Sequence, residues 1–280
     1  KEKCNYSSEE IIMGFITFFL LKKLLNKGNA FIWNSKEKNI KAFKKINTID
    51  LKLIVGVEKQ KNILLKNTEN FAIGNFTNNA LLWGTRGNGK STLIKSVFLK
   101  LSQKYISLKL IQLNKNNIFD IEKIYPILSK LPNMRFIIFI DDLSFEKIDS
   151  DYKIIKSTLD GSIQNQPTNI VLYVTSNRRH LMPRDMIDNE RSSAIHTDES
   201  VEEKISLSDR FGLWIGFHNL SQVDYLKIVK SYCNYYEIKF DKIVEDNALK
   251  WSLQRGNRTG RTAWQYIIQI AAEKNLKLNF

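Results

Sequence analysis

The sequence is short of cysteine, proline and histidine. Two cysteines in 280 residues, Cys4 and Cys233, cannot form a disulfide framework or a four-thiolate zinc site. His180, His196 and His218 are too widely spaced to read as a metal cluster. Four prolines and 12 glycines exclude a fibrous or linker-dominated chain. The longest apolar run, Ile11 to Leu21, has 11 residues, whereas a spanning helix takes about 20. It follows Glu9 and Glu10 rather than a basic stretch, so it does not read as a signal peptide. These absences point to a reducing, cytoplasmic setting.

Apolar residues are plentiful, 43% of the chain with 11% aromatic, enough to bury a core and exclude general disorder. At about 150 residues per domain, the length suits one large domain or a core with a smaller companion. Lys+Arg number 43 against 29 Asp+Glu, a net charge of +14. Of the 43 cations 33 are Lys, beside 35 Ile and 27 Asn but only 9 Ala, a bias that AT-rich codons produce. The lysines are spread along the chain instead of forming one dense stripe, so the charge alone does not indicate a nucleic-acid surface.

Residues 7–28 read as one helix. Ser7 and Glu10 have the form of a capping box, Lys22, Lys23 and Lys27 occupy the last turns, and Gly28 stops it. With the Lys-rich stretch from about Lys36 to Lys45 as a linker, residues 1–45 are expected to be a helical appendage. Its apolar run leaves a peripheral membrane contact open. Beyond it, the β-branched runs ALLW, YISLKLIQL, RFIIFI, NIVLYVTSN and FGLWIGF alternate with helical stretches, one of them broken near Pro126. That alternation describes an α/β core with a parallel sheet between helices. After His218 three helical segments follow.

Gly84-Thr85-Arg86-Gly87-Asn88-Gly89-Lys90-Ser91 fits G-x-x-x-x-G-K-[ST] in full, after a strand and opening a helix. In such a loop the glycines let successive N–H groups wrap a phosphate at a helix N-terminus. Lys90 would reach the β- and γ-phosphates, Ser91 would ligate Mg2+, and Thr92 would contact the α-phosphate. Asp141 and Asp142 end the buried strand Phe136 to Ile140. Asp141 would hold the metal and Asp142 would polarise the attacking water, unless it only caps the turn, with Glu146 as an alternative base. Asn177, at the tip of the next strand, would fix that water against the γ-phosphate.

Taken together, these features resemble an AAA+ ATPase. More narrowly, NNALLWGTRGNGKS, FIDDLSFE, VTSNRRHLMPR and EEKISLSDRFGLW resemble a bacterial branch of predicted AAA+ ATPases of unknown function. The likeness runs from about Asp50 to Ile270. It implies a P-loop core with a parallel five-stranded sheet over residues 46–217 and a small helical lid over 218–280. It implies that Ile54, Val55 and Gly56 line an adenine pocket, and that Arg210 is an arginine finger for a neighbouring subunit, with Arg178, Arg179 and Arg184 as rivals. Arg261 would be the lid arginine reaching ATP in its own chain, with Arg258 as competitor. One departure from the broad AAA+ pattern is Asp142, where Glu is usual. The implied activity is Mg2+-dependent ATP binding and hydrolysis by a homo-oligomer acting on a nucleic-acid or protein client. The alternatives are a nucleotide-dependent nucleic-acid-binding adaptor with little hydrolysis, and a small-molecule phosphotransferase.

Overall fold

The computed structural model describes residues 19–43, 45–145, 150–160, 167–179, 181, 207 and 209–278. Seven strands form one sheet: β1 (Ala30–Asn34), β2 (Asn39–Ala42), β3 (Ala80–Gly84), β4 (Leu108–Leu113), β5 (Arg135–Ile140), β6 (Ile170–Ser176) and β7 (Leu213–Phe217). Their order is β2-β1-β4-β5-β6-β3-β7, with only the β1–β2 pair antiparallel. β5 and β6 lie in the middle and are buried almost throughout, which is why they read as unbroken apolar runs.

Helices cover both faces. On one side α1 (Glu58–Ala72) and α2 (Lys90–Ser102) pack Leu64, Phe71, Leu93 and Phe98 against the sheet. On the other, α3 (Ile121–Ser129) and α4 (Ser150–Asp160) bring in Ile124, Leu128, Tyr152 and Ile155. Pro126 lies inside α3 rather than breaking it. Its missing N–H would have met the carbonyl of Glu122, an exposed residue in the first turn, where water can replace it. The last three helices, α5 (Gln222–Tyr235), α6 (Lys242–Gln254) and α7 (Gly260–Glu273), surround a third cluster that includes Tyr225, Val229, Ala263 and Ile267. Ser221, Asp241 and Thr259 cap them through side-chain oxygens.

The N-terminal segment differs from expectation. Residues 19–25 are helical, but 30–42 form a hairpin that widens the expected five strands to seven, so 1–45 is not simply a helical appendage and 36–45 is not a linker. Phe31 and Trp33 on β1 and Ile40 on β2 share one buried face, each contributing roughly 1.5–3 kcal/mol by burial. Trp33 Nε1 donates to Asp120 at 2.9 Å, and the buried Lys109 ammonium donates to the Gly28 carbonyl at 2.9 Å and Asn29 Oδ1 at 2.7 Å. Lysines at 36, 38 and 41 obscure the alternating pattern while blunting the exposed edge strand. The capping residues Ser7 and Glu10 lie outside the described residues. Among the described residues no helix is long and apolar enough to cross a membrane.

Candidate functional site

Parallel strands deliver their C-terminal ends to one edge of the sheet, and the motif residues meet there. Ile140 pairs with Val174, Leu82 with Thr175 and Trp83 with Ser176, so Gly84, Asp141 and Asn177 emerge side by side. Asp141 and Asn177 border a cavity of about 780 Å³ that extends from the 86–91 loop to the helical C-terminal region.

The loop owes its shape to three glycines of positive φ, Gly84, Gly87 and Gly89. Gly84 has φ +122°, and a Cβ there would lie 2.0 Å from the Phe217 carbonyl oxygen. Gly87 has φ +81°, with Thr259 Oγ1 3.0 Å from where its Cβ would be. Thr85 N donates to the same Phe217 carbonyl at 2.9 Å, and Thr85 Oγ1 to Asn219 Oδ1 at 2.8 Å. Asn88 is buried and donates Nδ2 to the His218 carbonyl at 2.7 Å. The loop is thereby tied to the end of β7 on both sides.

Lys90 opens α2 and lies beneath the loop. Its ammonium donates to the Gly84 and Thr85 carbonyls at 2.7 and 2.9 Å and to Asn177 Oδ1 at 3.2 Å. Burial lowers its pKa to about 8, with Asp142 and Asp141 opposing and Arg86 and Arg261 reinforcing the shift. Asp141 accepts from Ser91 Oγ and from Thr175 Oγ1, both at 2.5 Å. A hydroxyl beside a carboxylate is the hard-oxygen donor set that Mg2+ takes, so Ser91 and Asp141 fit that ion.

Asp142 sits in the left-handed region at φ +56°. Its backbone N–H donates to Thr175 Oγ1 at 2.9 Å, and its carboxylate accepts from Asn177 Nδ2. Arg86 and Lys115 face Asp142 Oδ2 at 3.6 and 3.5 Å. Arg86 is 75% exposed, so that pair contributes at most about 1 kcal/mol and can be exchanged readily. Thr175, which touches both aspartates, was visible in sequence as the first polar residue of Thr175-Ser176-Asn177; the choice of Asn177 alone passed over it.

The far end of the cavity is apolar. Ile54 and Val55 line it, while Gly56 forms the turn beyond them. Ile49, Tyr232 and Trp264 line it too, the two rings 5.2 Å apart. Sequence reasoning missed these three because they come from separate segments. Arg261 also lines the cavity, and its N–H donates to the Gly87 carbonyl at 3.0 Å. Arg258 instead borders a separate hollow of about 340 Å³ with Thr85 and Asn219.

Arg210 precedes β7 at its N-terminal end, where Leu213 pairs with Ala80. The loop begins at the opposite end, about 13 Å away at 3.3 Å per residue. Arg178 donates to the Phe145 carbonyl at 3.2 Å, and Arg179 lies 5.3 Å from the Trp83 ring centroid and 5.7 Å from that of Trp214. Glu146 and Arg184 lie outside the described residues.

A family model described as "Protein of unknown function (DUF815)" matches residues 26–274. The chain belongs to the DUF815 family. No curated protein matches it. Among solved structures, this DUF815 chain is similar to the Holliday junction branch migration motor RuvB of Thermotoga maritima, with TM-score 0.53, 18% identity, and coverage of 81% of this chain and 66% of that one. Domain III of the replication initiation protein DnaA of the same organism gives TM-score 0.51 and 11% identity, over 80% of this chain and 88% of that one. The Orc1 protein of Aeropyrum pernix, solved in complex with DNA, gives 0.52 and 16%, over 80% and 62%. The chain therefore spans just under two thirds of the RuvB chain. Its fold matches the AAA+ core of RuvB, with a seven-stranded, mostly parallel sheet and a helical C-terminal region.

Proposed function

We propose that the protein is a Mg2+-dependent ATPase that works as an oligomer on a macromolecular client. The observation that carries this reading is the meeting of Lys90, Asp141, Asp142 and Asn177 along one wall of a cavity large enough for a nucleotide. In the proposed reaction a water oxygen bonds to the γ-phosphorus and the bond to the β–γ bridging oxygen breaks. The electron pair leaves on ADP, and the water proton passes to Asp142. Mg2+, when bound, supplies charge neutralisation at the β- and γ-oxygens. Lys90 binds the same oxygens and Asn177 orients the water. Ser91 and Asp141 hold the ion, and Arg261 meets the phosphates from the lid side. Ile54, Val55, Tyr232 and Trp264 take the base.

Arg210 precedes β7 at the strand end opposite the loop and is not among the residues bordering its own cavity, which supports a role in a neighbour's site and hence assembly. Phosphate release by the full chain with Mg2+ tests the reading. Arg210→Ala should keep ATP affinity and lose turnover by about a thousandfold, the scale of a removed arginine finger. Hydrolysis by the variant at the wild-type rate would reject this finger.

A second reading, a nucleotide switch with little hydrolysis that binds nucleic acid, draws on Asp142, whose carboxylate is already engaged by Asn177 and faces two cations. DNA-stimulated phosphate release favours the first reading. Salt-sensitive DNA binding without turnover favours the second.

A further inference from the structure

Gly84 and Gly87, two of the three positive-φ glycines of the loop, flank Thr85 and Arg86, whose side chains go to different places. Thr85 turns to Asn219 and the smaller hollow, while Arg86 reaches the rim of the main cavity. Its guanidinium faces Asp142 at 3.6 Å, on the carboxylate oxygen Oδ2; the other, Oδ1, accepts from Asn177. Lys90 lies under the same loop, its ammonium donating to the Gly84 and Thr85 carbonyls. Two cations from one loop therefore bracket the place where a terminal phosphoryl group would stand, one buried below it and one exposed at its edge.

We propose that Arg86 is a catalytic arginine acting within its own chain, leaving Asp142 for the γ-phosphoryl group when a triphosphate binds. The proposal rests on the ATPase reading above. A γ-phosphoryl group brings up to two negative charges beside the Asp142 carboxylate. It repels that carboxylate and offers Arg86 a fork of oxygens matched to its N–H donors. The exposed pair with Asp142 is a weak competitor. ADP lacks those oxygens and leaves the pair in place.

Calorimetric titration of the full chain with Mg2+ and either ADP or a slowly hydrolysed ATP analogue tests the exchange. Arg86→Gln should weaken the triphosphate about tenfold and ADP by no more than about twofold, with Arg86→Lys in between. Asp142→Asn should tighten the triphosphate about fivefold, and that gain should vanish when combined with Arg86→Gln. With ATP itself, Arg86→Gln should slow phosphate release about a hundredfold at concentrations that keep the subunits assembled. The proposal fails if Arg86→Gln weakens both nucleotides alike or neither, or if the Asp142→Asn gain survives in the double variant. Wild-type protein that binds neither nucleotide would refute the ATPase reading itself, an outcome distinct from loss of discrimination between the two. Arg86 is mostly exposed, so these variants should fold like the parent.

Discussion

The two ends of the cavity are built on opposite plans. At the phosphate end nearly every polar group is already bonded to another: Lys90 to Asn177, Asn177 to Asp142, and Asp141 to Ser91 and Thr175. The other end, where we propose that the base sits, is a set of apolar and aromatic faces, Ile54, Val55, Tyr232 and Trp264, contributed by the segment before α1 and by two C-terminal helices. A ligand entering the first end must exchange hydrogen bonds, whereas at the second it has only to displace water. Discrimination by phosphate number should therefore reside in the loop and strand ends, and discrimination by base in the segment before α1 together with the C-terminal helices.

The largest effect that would break this division is at Lys90. Lys90→Ala should weaken ATP by at least about a hundredfold, because a desolvated, charge-assisted contact is lost, and should weaken other nucleoside triphosphates equally. Calorimetry with ATP and GTP checks both points, and unchanged ATP affinity would move the phosphate site elsewhere. Trp264→Ala comes next. It should cost ATP about tenfold and narrow any preference between bases, while the ratio of ATP to ADP affinity stays the same. A changed ATP-to-ADP ratio would mean that the two ends are not separable.

The smallest effect sharpens the comparison through pH. With the cavity empty, the Lys90 ammonium loses its proton near pH 8 instead of near 10.5, because it is buried. Phosphate oxygens favour the charged form, so ATP binding at pH 8.5 should take up most of one proton, and at pH 6.5 almost none. Affinity should fall as pH rises above about 8. Titrations in two buffers of different ionisation heat measure the uptake; Trp264→Ala should leave it unaltered.

The same contrast explains what could be read from sequence. The proposed phosphate end is legible because the loop needs Gly84, Gly89 and Lys90 at fixed spacing in one short segment. The aspartates and Asn177 were legible as polar tips on long apolar strands. Thr175 was in view but carries no spacing rule that sets it above its neighbours. Ile49, Tyr232 and Trp264 look like ordinary core positions of their own segments, and only tertiary packing turns them toward one cavity. The hairpin at 30–42 was hidden for a different reason. Its lysines follow the charge pattern of a linker, and the alternation of Phe31, Trp33 and Ile40 is too short to stand out.

One hydrogen bond has mechanical consequences. The Arg261 N–H, at the start of α7, holds the Gly87 carbonyl, so a 14-residue helix is hinged on the phosphate loop. At 1.5 Å per residue that helix is about 21 Å long, and tilting it by about 10° would sweep its far end through roughly 4 Å. A sub-ångström repacking of one peptide group can in this way become a displacement large enough for an adjoining surface to feel.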